Sequence, residues 1–243
     1  MQLKTREKKI DFIEITKILK KNNLILTRLK SLSSELCPIF YYDSLKPNKR
    51  FDHNKKFDER KIFKIERSFL SLFGFPQYGI HCNGWIKKGN SYVFYLAKRS
   101  KKIMKFPGLI DNFIAGGQPC GISIIKNLEK EGFEEAGLKK LNFTNLVKGK
   151  SIHYCHQTKN KINSAVIFVY DLELNKRIKP KNLDGEVEEF FTIDIENLYK
   201  ILDKRKLKPN CIIPIADFFV RRLNGYFPEN GLKKIKSLLN NYD

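Results

Sequence analysis

The chain has 243 residues, 42% of them apolar and 12% aromatic, which is enough to fill one sizeable core and too much for wholesale disorder. Lysine and arginine total 47 against 26 acids, a formal net charge of +21. No apolar run approaches the roughly 18 residues of a transmembrane helix, and five scattered cysteines without CxxC spacing argue for free thiols in a reducing cytoplasm rather than a disulfide scaffold.

The opening, MQLKTREKKIDFIEITKILKK, mixes acids with bases and has no apolar core, so neither a secretory signal nor a transit peptide is expected. Phe12, Ile15 and Leu19 recur at helical spacing with Ile18 beside them, which predicts a helix within residues 1–30. Its apolar stripe suits packing on its own domain or a homodimer contact. Residues 43–66 are rich in charge and read as a solvated connector with one short strand. From about Leu70 the texture changes. YGIHCNGWI (78–86) and SYVFYLAKR (91–99) read as strands around a KKGN turn. A Gly-rich segment (106–121) precedes a helix at 123–136. Strands follow at 150–157, 164–172 and 188–193, then a short helix near 195–203 and a last helix from Ile212. This alternation predicts an α/β layered domain over about residues 70–243.

The lysine excess is spread along the whole chain together with many Asn and Ile residues, a pattern of compositional habit more than of a nucleic-acid face. It suits a surface that attracts small polyanions such as phosphate esters. The informative stretch is Gly116 to Leu138, GGQPCGISIIKNLEKEGFEEAGL. At about 100° per residue, Glu131, Glu134 and Glu135 fall on one helix face. Clustered carboxylates destabilise a helix unless a cation sits among them, and hard oxygen ligands suit Mg²⁺ or Mn²⁺. A second seam, Ile125, Leu128, Gly132 and Ala136, would pack on a sheet. A glycine inside a helix costs about 1 kcal/mol relative to Ala, so Gly132 implies a close approach of another backbone. Gly137 ends the helix where a left-handed cap is wanted.

These residues in this register resemble the Nudix box, G-x5-E-x7-R-E-U-x-E-E-x-G-U. Gly116 supplies its first glycine, Glu131, Glu134 and Glu135 its metal-binding carboxylates, and Gly137 and Leu138 its end. Ile122 stands where the box has its first Glu, Lys130 where it has Arg, and Gly132 at an aliphatic position. Lys130 keeps a charge among the acids but lacks the planar fork of Arg. Four segments, 72–85, 106–121, 183–190 and 208–222, are similar to the Nudix subfamily associated with, and in some fungi fused to, thiamine pyrophosphokinase. In that subfamily an apolar residue at the Ile122 position is common.

The resemblance implies a Nudix-type α/β/α sandwich with a mixed central sheet over residues 67–243, preceded by a small α+β extension, residues 1–66. It implies a Mg²⁺- or Mn²⁺-dependent hydrolase of a small-molecule diphosphate. Thiamine diphosphate, or a damaged form such as oxothiamine diphosphate, would yield the monophosphate and phosphate. The alternatives are a nucleotide sugar or dinucleotide as substrate, or a non-catalytic RNA-binding protein on the same scaffold. Glu131, Glu134 and Glu135 would hold metal. The general base would be a box glutamate or an acid of DGEVEE, where Glu186 and Glu188 share one side of an extended segment and Glu189 faces away. Lys98, Arg99, Gly116, Gly117 and Lys130 are the candidate substrate-binding residues. Two further groups read as structural: His153, Cys155 and His156 lack a partner cluster for zinc, and Tyr78, Trp85 and Phe106, although able to stack on a heterocycle, fit a core.

Overall fold

The computed structural model describes residues 21, 35–40, 51–59, 61–158, 161–198, 201, 206–223 and 228–240. The helix expected within residues 1–30 lies outside them, as do residues 41–50. Strands β1 (Leu36–Ile39) and β2 (Phe63–Glu66) pair antiparallel, with Cys37 opposite Ile65. Their buried Cys37, Ile39 and Ile65 pack on Phe69 and Leu70. Those two belong to a 3-10 turn, Arg67–Phe69, and the short helix α1 (Leu70–Phe73) that continues it.

The stretch before β2 is not the solvated connector its charge suggests. Phe57 is buried, and Phe51 packs edge-on or tilted against Phe40, Phe57, Tyr78 and Phe168. Asp58, also buried, accepts the Gly121 N–H at 2.9 Å and pairs with Lys61 and Lys64 at 3.3 Å each. Two phenylalanines decide the burial of this segment, and the lysines around them hide that from a compositional average.

Strands β3 (Gln77–Lys88) and β4 (Ser91–Arg99) form a hairpin. Its turn is Gly89–Asn90, with Gly89 at φ 60, so Lys87 and Lys88 are paired strand ends and not turn residues. Then come β5 (Ile110–Asp111), β6 (Ile114–Gly117), β7 (Leu146–Thr158), β8 (Lys161–Glu173) and β9 (Val187–Asp194). The seven-stranded sheet runs β5-β4-β3-β8-β7, with β6 added to β3 and β9 to β4. The β3–β8 pairing is parallel and the others are antiparallel, so the sheet is mixed.

Helix α2 (Ile124–Ala136) covers one face of this sheet. Helices α3 (Ile212–Arg222) and α4 (Glu229–Asn240) cover the other. The period-2 alternation of β8 feeds both layers. Val166, Phe168, Tyr170 and Leu172 join the core that contains Ile124 and Leu128 of α2. Ile167 and Val169 join Val220 of α3 and Leu239 of α4. Helix α4 lies beyond the helix expected to be last. Leu232, Ile235 and Leu239 give it an apolar stripe, which Lys233, Lys234 and Lys236 dilute in sequence. Of the helix expected at 195–203, Ile195–Asn197 form a 3-10 turn with Leu198 buried behind it, Ile201 is helical, and residues 199, 200, 202 and 203 lie outside the described residues. No helix of the described residues is long and apolar enough to cross a membrane.

Candidate active site

Helix α2 is fixed at both ends. The Ser123 hydroxyl accepts the Lys126 N–H at 3.2 Å and satisfies one of the free donors of the first turn. Gly137, at φ 66, closes the other end, with its N–H on the Phe133 carbonyl and the Leu138 N–H on the Gly132 carbonyl. Gly132 makes room for side chains, not for backbone as the sequence suggested: a Cβ there would lie 2.6 Å from the Phe143 ring and 3.1 Å from the Ile114 methyl. Helix α2 therefore sits tightly against β6, and its carboxylates are held against that strand.

Glu135 is buried, and one of its oxygens accepts the Ala115 N–H at 2.9 Å. Glu131 lies over Gly116, where a Cβ would come within 2.4 Å of its carboxylate carbon. Glu134 is further out, with Lys130 hydrogen-bonded to it at 2.5 Å and to Glu131 at 3.3 Å. Burial pushes the pKa of Glu135 well above the ordinary carboxylate range, and Asp111, Glu131 and Glu186 add to the rise. Glu131 is pushed up by burial and by the charges of Glu134 and Glu186, against the pull of Lys130. Among the described residues, Lys130 is the one side-chain cation hydrogen-bonded to these glutamates. The acids thus carry more negative charge than the protein neutralises.

A small cleft adjoins Glu135. Glu135, Ala115, Asp111, Arg99 and Glu186 line it, along with Ala97, Asn112 and Val187. The structure therefore brings Glu186 to the helix acids. Glu188 is not with it. The pairing of β9 with β4 shifts register at Lys98 and Arg99, and Glu188 is drawn to Lys98 at 2.9 Å, outside the cleft lining. The shared side expected for Glu186 and Glu188 holds only for a regular strand. Lys98 is spent on that ion pair. Arg99 lines the cleft but is committed, through Nη1 to Asp111 at 2.7 Å and through Nε and Nη2 to the Lys105 carbonyl. Ile122 stands apart from the acids, its carbonyl accepting the Phe57 N–H and the Gln118 side-chain amide.

The remaining sequence candidates are structural. His153 pairs with the Ser164 hydroxyl at 2.8 Å, Cys155 is an exposed free thiol, and the His156 side chain lies outside the described residues. Tyr78 and Trp85 are buried, while Phe106 is exposed. Asp111, inside the FPGLIDNFIAGG segment, was not singled out, nor was Lys208. The Asp111 carboxylate accepts from Arg99, Lys208 and the Cys211 thiol, each at 2.7 Å. His81, Asp111 and Cys211 bring potential ligand atoms within 4.8 Å of one another. They do not suit a cation, because two positive side chains already occupy the carboxylate and His81 Nδ1 is engaged by Asn112. The glutamates of α2 are the opposite case. Hard oxygen donors with raised pKa values and one weakly shielding lysine fit a divalent ion.

No protein-family model matches the chain. Sequence comparison finds Nudix hydrolase 20, chloroplastic, of Arabidopsis thaliana, 34% identical over 175 residues that make up 72% of this chain and 47% of that protein. Nudix hydrolase 24, chloroplastic, of the same plant is 33% identical over 72% of this chain and 48% of its own length. Over these residues the chain is similar to Nudix hydrolases. It spans about half the length of these two relatives. An uncharacterised Saccharomyces cerevisiae protein is 32% identical and is covered over 64% of its length. Among solved structures, a Deinococcus radiodurans protein aligns at a TM-score of 0.49 with 15% identity, covering 69% of this chain and 98% of that one. A Nudix hydrolase from Nitrosomonas europaea aligns at 0.42 with 16% identity, covering 60% and 90%. The residues that match the box pattern stand on the helix and strand described above, with Gly116 under Glu131 and Gly137 at the helix end.

Proposed function

We propose that the protein is a divalent-metal-dependent hydrolase of thiamine diphosphate or of a damaged form such as oxothiamine diphosphate, giving the monophosphate and phosphate. The observation that carries the diphosphate reading is that Glu135 and Glu186 line one cleft while Glu131 and Glu134 share the helix face of Glu135, with Lys130 the one side-chain cation hydrogen-bonded to the helix acids among the described residues. Glu131 and Glu134, with Glu135 behind them, are the residues to hold Mg²⁺ or Mn²⁺. A bound ion there screens the charge of a diphosphate and lowers the pKa of water. Glu186, exposed on the cleft wall, is placed to accept the proton of an attacking water. Glu135 holds its orientation through the Ala115 N–H and is too deeply buried for that task. Lys130 steadies Glu131 and Glu134, and Arg99 shapes the cleft while held by Asp111 and the Lys105 carbonyl.

The choice of thiamine-type substrate rests on the likeness of residues 72–85, 106–121, 183–190 and 208–222 to one Nudix subfamily. Five free cysteines, three of them buried, support a reducing, cytoplasmic setting. The test is phosphate release with saturating Mg²⁺ from thiamine diphosphate, oxothiamine diphosphate, a nucleotide sugar and a dinucleotide, the last two with added phosphatase. The highest kcat/KM is expected on a thiamine-type diphosphate. Preference for a nucleotide derivative keeps the hydrolase and rejects the substrate. Sequence-selective RNA binding at physiological salt without turnover rejects both.

A further inference from the structure

The two glycines that end β6 lie beneath two oppositely charged groups. A Cβ on Gly116 would strike the Glu131 carboxylate, and a Cβ on Gly117 would lie 2.6 Å from Cζ and Nη1 of Arg67 and 2.8 Å from its Nη2. Successive strand residues face opposite ways, so Gly116 makes room for the carboxylate on one face of β6 and Gly117 for the guanidinium on the other, and Gly117 tolerates no side chain while Arg67 stays where it is. Arg67 comes from the 3-10 turn after β2, far from the box in sequence. Its Nη1 donates to Glu35 at 2.7 Å, and no other hydrogen bond to its guanidinium is found among the described residues. One edge of the fork is thus tethered and the rest is open, with the side chain 37% exposed. By the period of a strand, Gly117 shares its face with Ala115, which lines the cleft. Burial works against the charge of Arg67, but Glu35, and beyond it Cys37 and Glu131, hold its pKa above the ordinary value, so it is a permanent cation.

We propose that Arg67 binds the terminal phosphate of the diphosphate substrate, with Gly117 as the backbone floor that admits the guanidinium and Glu35 as the residue that aims it. This rests on the hydrolase reading. A planar guanidinium offers two parallel donors to two phosphate oxygens, which an ammonium cannot do. Lys98 and Arg99, by contrast, are each drawn into an ion pair with a carboxylate of the chain, Glu188 and Asp111.

The test compares wild type with Arg67→Gln, Arg67→Lys and Gly117→Ala. Steady-state kinetics use whichever diphosphate the wild type turns over best. Calorimetry with methylene diphosphonate, a non-hydrolysable diphosphate, in saturating Mn²⁺ reads binding without turnover, and thermal melting reads the fold. Arg67→Gln is expected to raise KM and the analogue Kd about 10- to 100-fold, the scale of a charged hydrogen bond, with Tm and Mn²⁺ affinity nearly unchanged. Arg67→Lys should recover part of the loss. Gly117→Ala, which displaces the guanidinium without removing it, should raise KM as well, and it decides the matter if Arg67→Gln does not fold. Unchanged KM and Kd, or a fall in Tm with unaltered analogue affinity, overturns the proposal and leaves Arg67 a structural tie to Glu35. A wild type that neither binds the analogue nor hydrolyses any diphosphate overturns the hydrolase reading itself.

Discussion

The sheltered acids of the chain fall into two groups, and the protein treats them differently. Asp111, Asp171 and Asp217 are buried and paired. Asp171 accepts from Arg221 at 2.6 Å, from Arg222 at 3.4 Å and from Asn83 at 3.0 Å, while Asp217 accepts from Arg221 at 2.8 Å. Asp111 has Arg99 and Lys208 beside it, and Lys208 first, with His81 and the Cys211 hydrogen bond, brings its pKa below the ordinary range despite burial. Glu131 and Glu135 of α2 are also sheltered, and burial raises their pKa values as it does that of Asp217; the difference lies in the partners, for among the described residues Glu135 is hydrogen-bonded to no side-chain cation and Glu131 shares Lys130 with Glu134. One set has its counter-charges built in, and the other lacks them. Acids neutralised by the chain are part of the framework. Acids the chain leaves charged and crowded are positioned for a cation from outside.

The comparison breaks most visibly if an acid of the paired set is removed. Asp171→Asn removes the buried carboxylate that Arg221 and Arg222 share, leaving Arg221 with Asp217 alone, and a loss of about 3–5 kcal/mol is expected, measured by chemical denaturation. A loss below about 1 kcal/mol would place Asp171 among the ordinary surface pairs. Glu134→Gln and Glu135→Gln should do the reverse. Each is expected to lower kcat at least about 100-fold, the scale of losing a key electrostatic group, while Tm holds or rises because a crowded charge is gone. Activity within a few-fold of wild type in both variants would sink the site.

A smaller effect comes from pH. His53 and His81 are buried, and their pKa values are lowered by burial from 6.5 to about 4. The unfolded chain therefore binds protons at a pH where the folded protein does not, so stability falls as pH drops from about 6.5 toward 4. By pH 5 the loss is on the order of 1–2 kcal/mol per histidine. Glu135 works the other way: its raised pKa lets the folded state take up a proton first, which adds stability as pH falls. The histidine slope is thus expected to be steeper in Glu135→Gln than in wild type, as read from denaturation midpoints at pH 7 and pH 5. Equal slopes would contradict the assignment of an uncompensated Glu135.

What the sequence made legible was local. Strand 91–99 and the helix starting after Ser123 follow from alternation, a cap residue and a C-terminal glycine, all written within a few positions. The box acids follow from helical spacing. The parts that stayed hidden depend on distant partners. Asp111 is defined by Lys208 and Cys211, and Arg67 by Glu35 and Gly117. Phe51 and Phe57 are defined by a core on β3 and β8. The irregular pairing of β9 with β4 that parts Glu186 from Glu188 leaves no mark in DGEVEEF. Helix α4 was readable in its leucine spacing, but its lysines outweighed the stripe.

The central claim, that α2 carries charge awaiting a divalent ion, is tested most directly by counting bound Mn²⁺ with electron paramagnetic resonance. The titration compares wild type with a Glu131→Gln/Glu134→Gln variant whose melting temperature shows it folded. The account predicts that wild type binds Mn²⁺ and that the variant binds it at least about tenfold more weakly. Mn²⁺ bound with equal affinity and number in both proteins would contradict it.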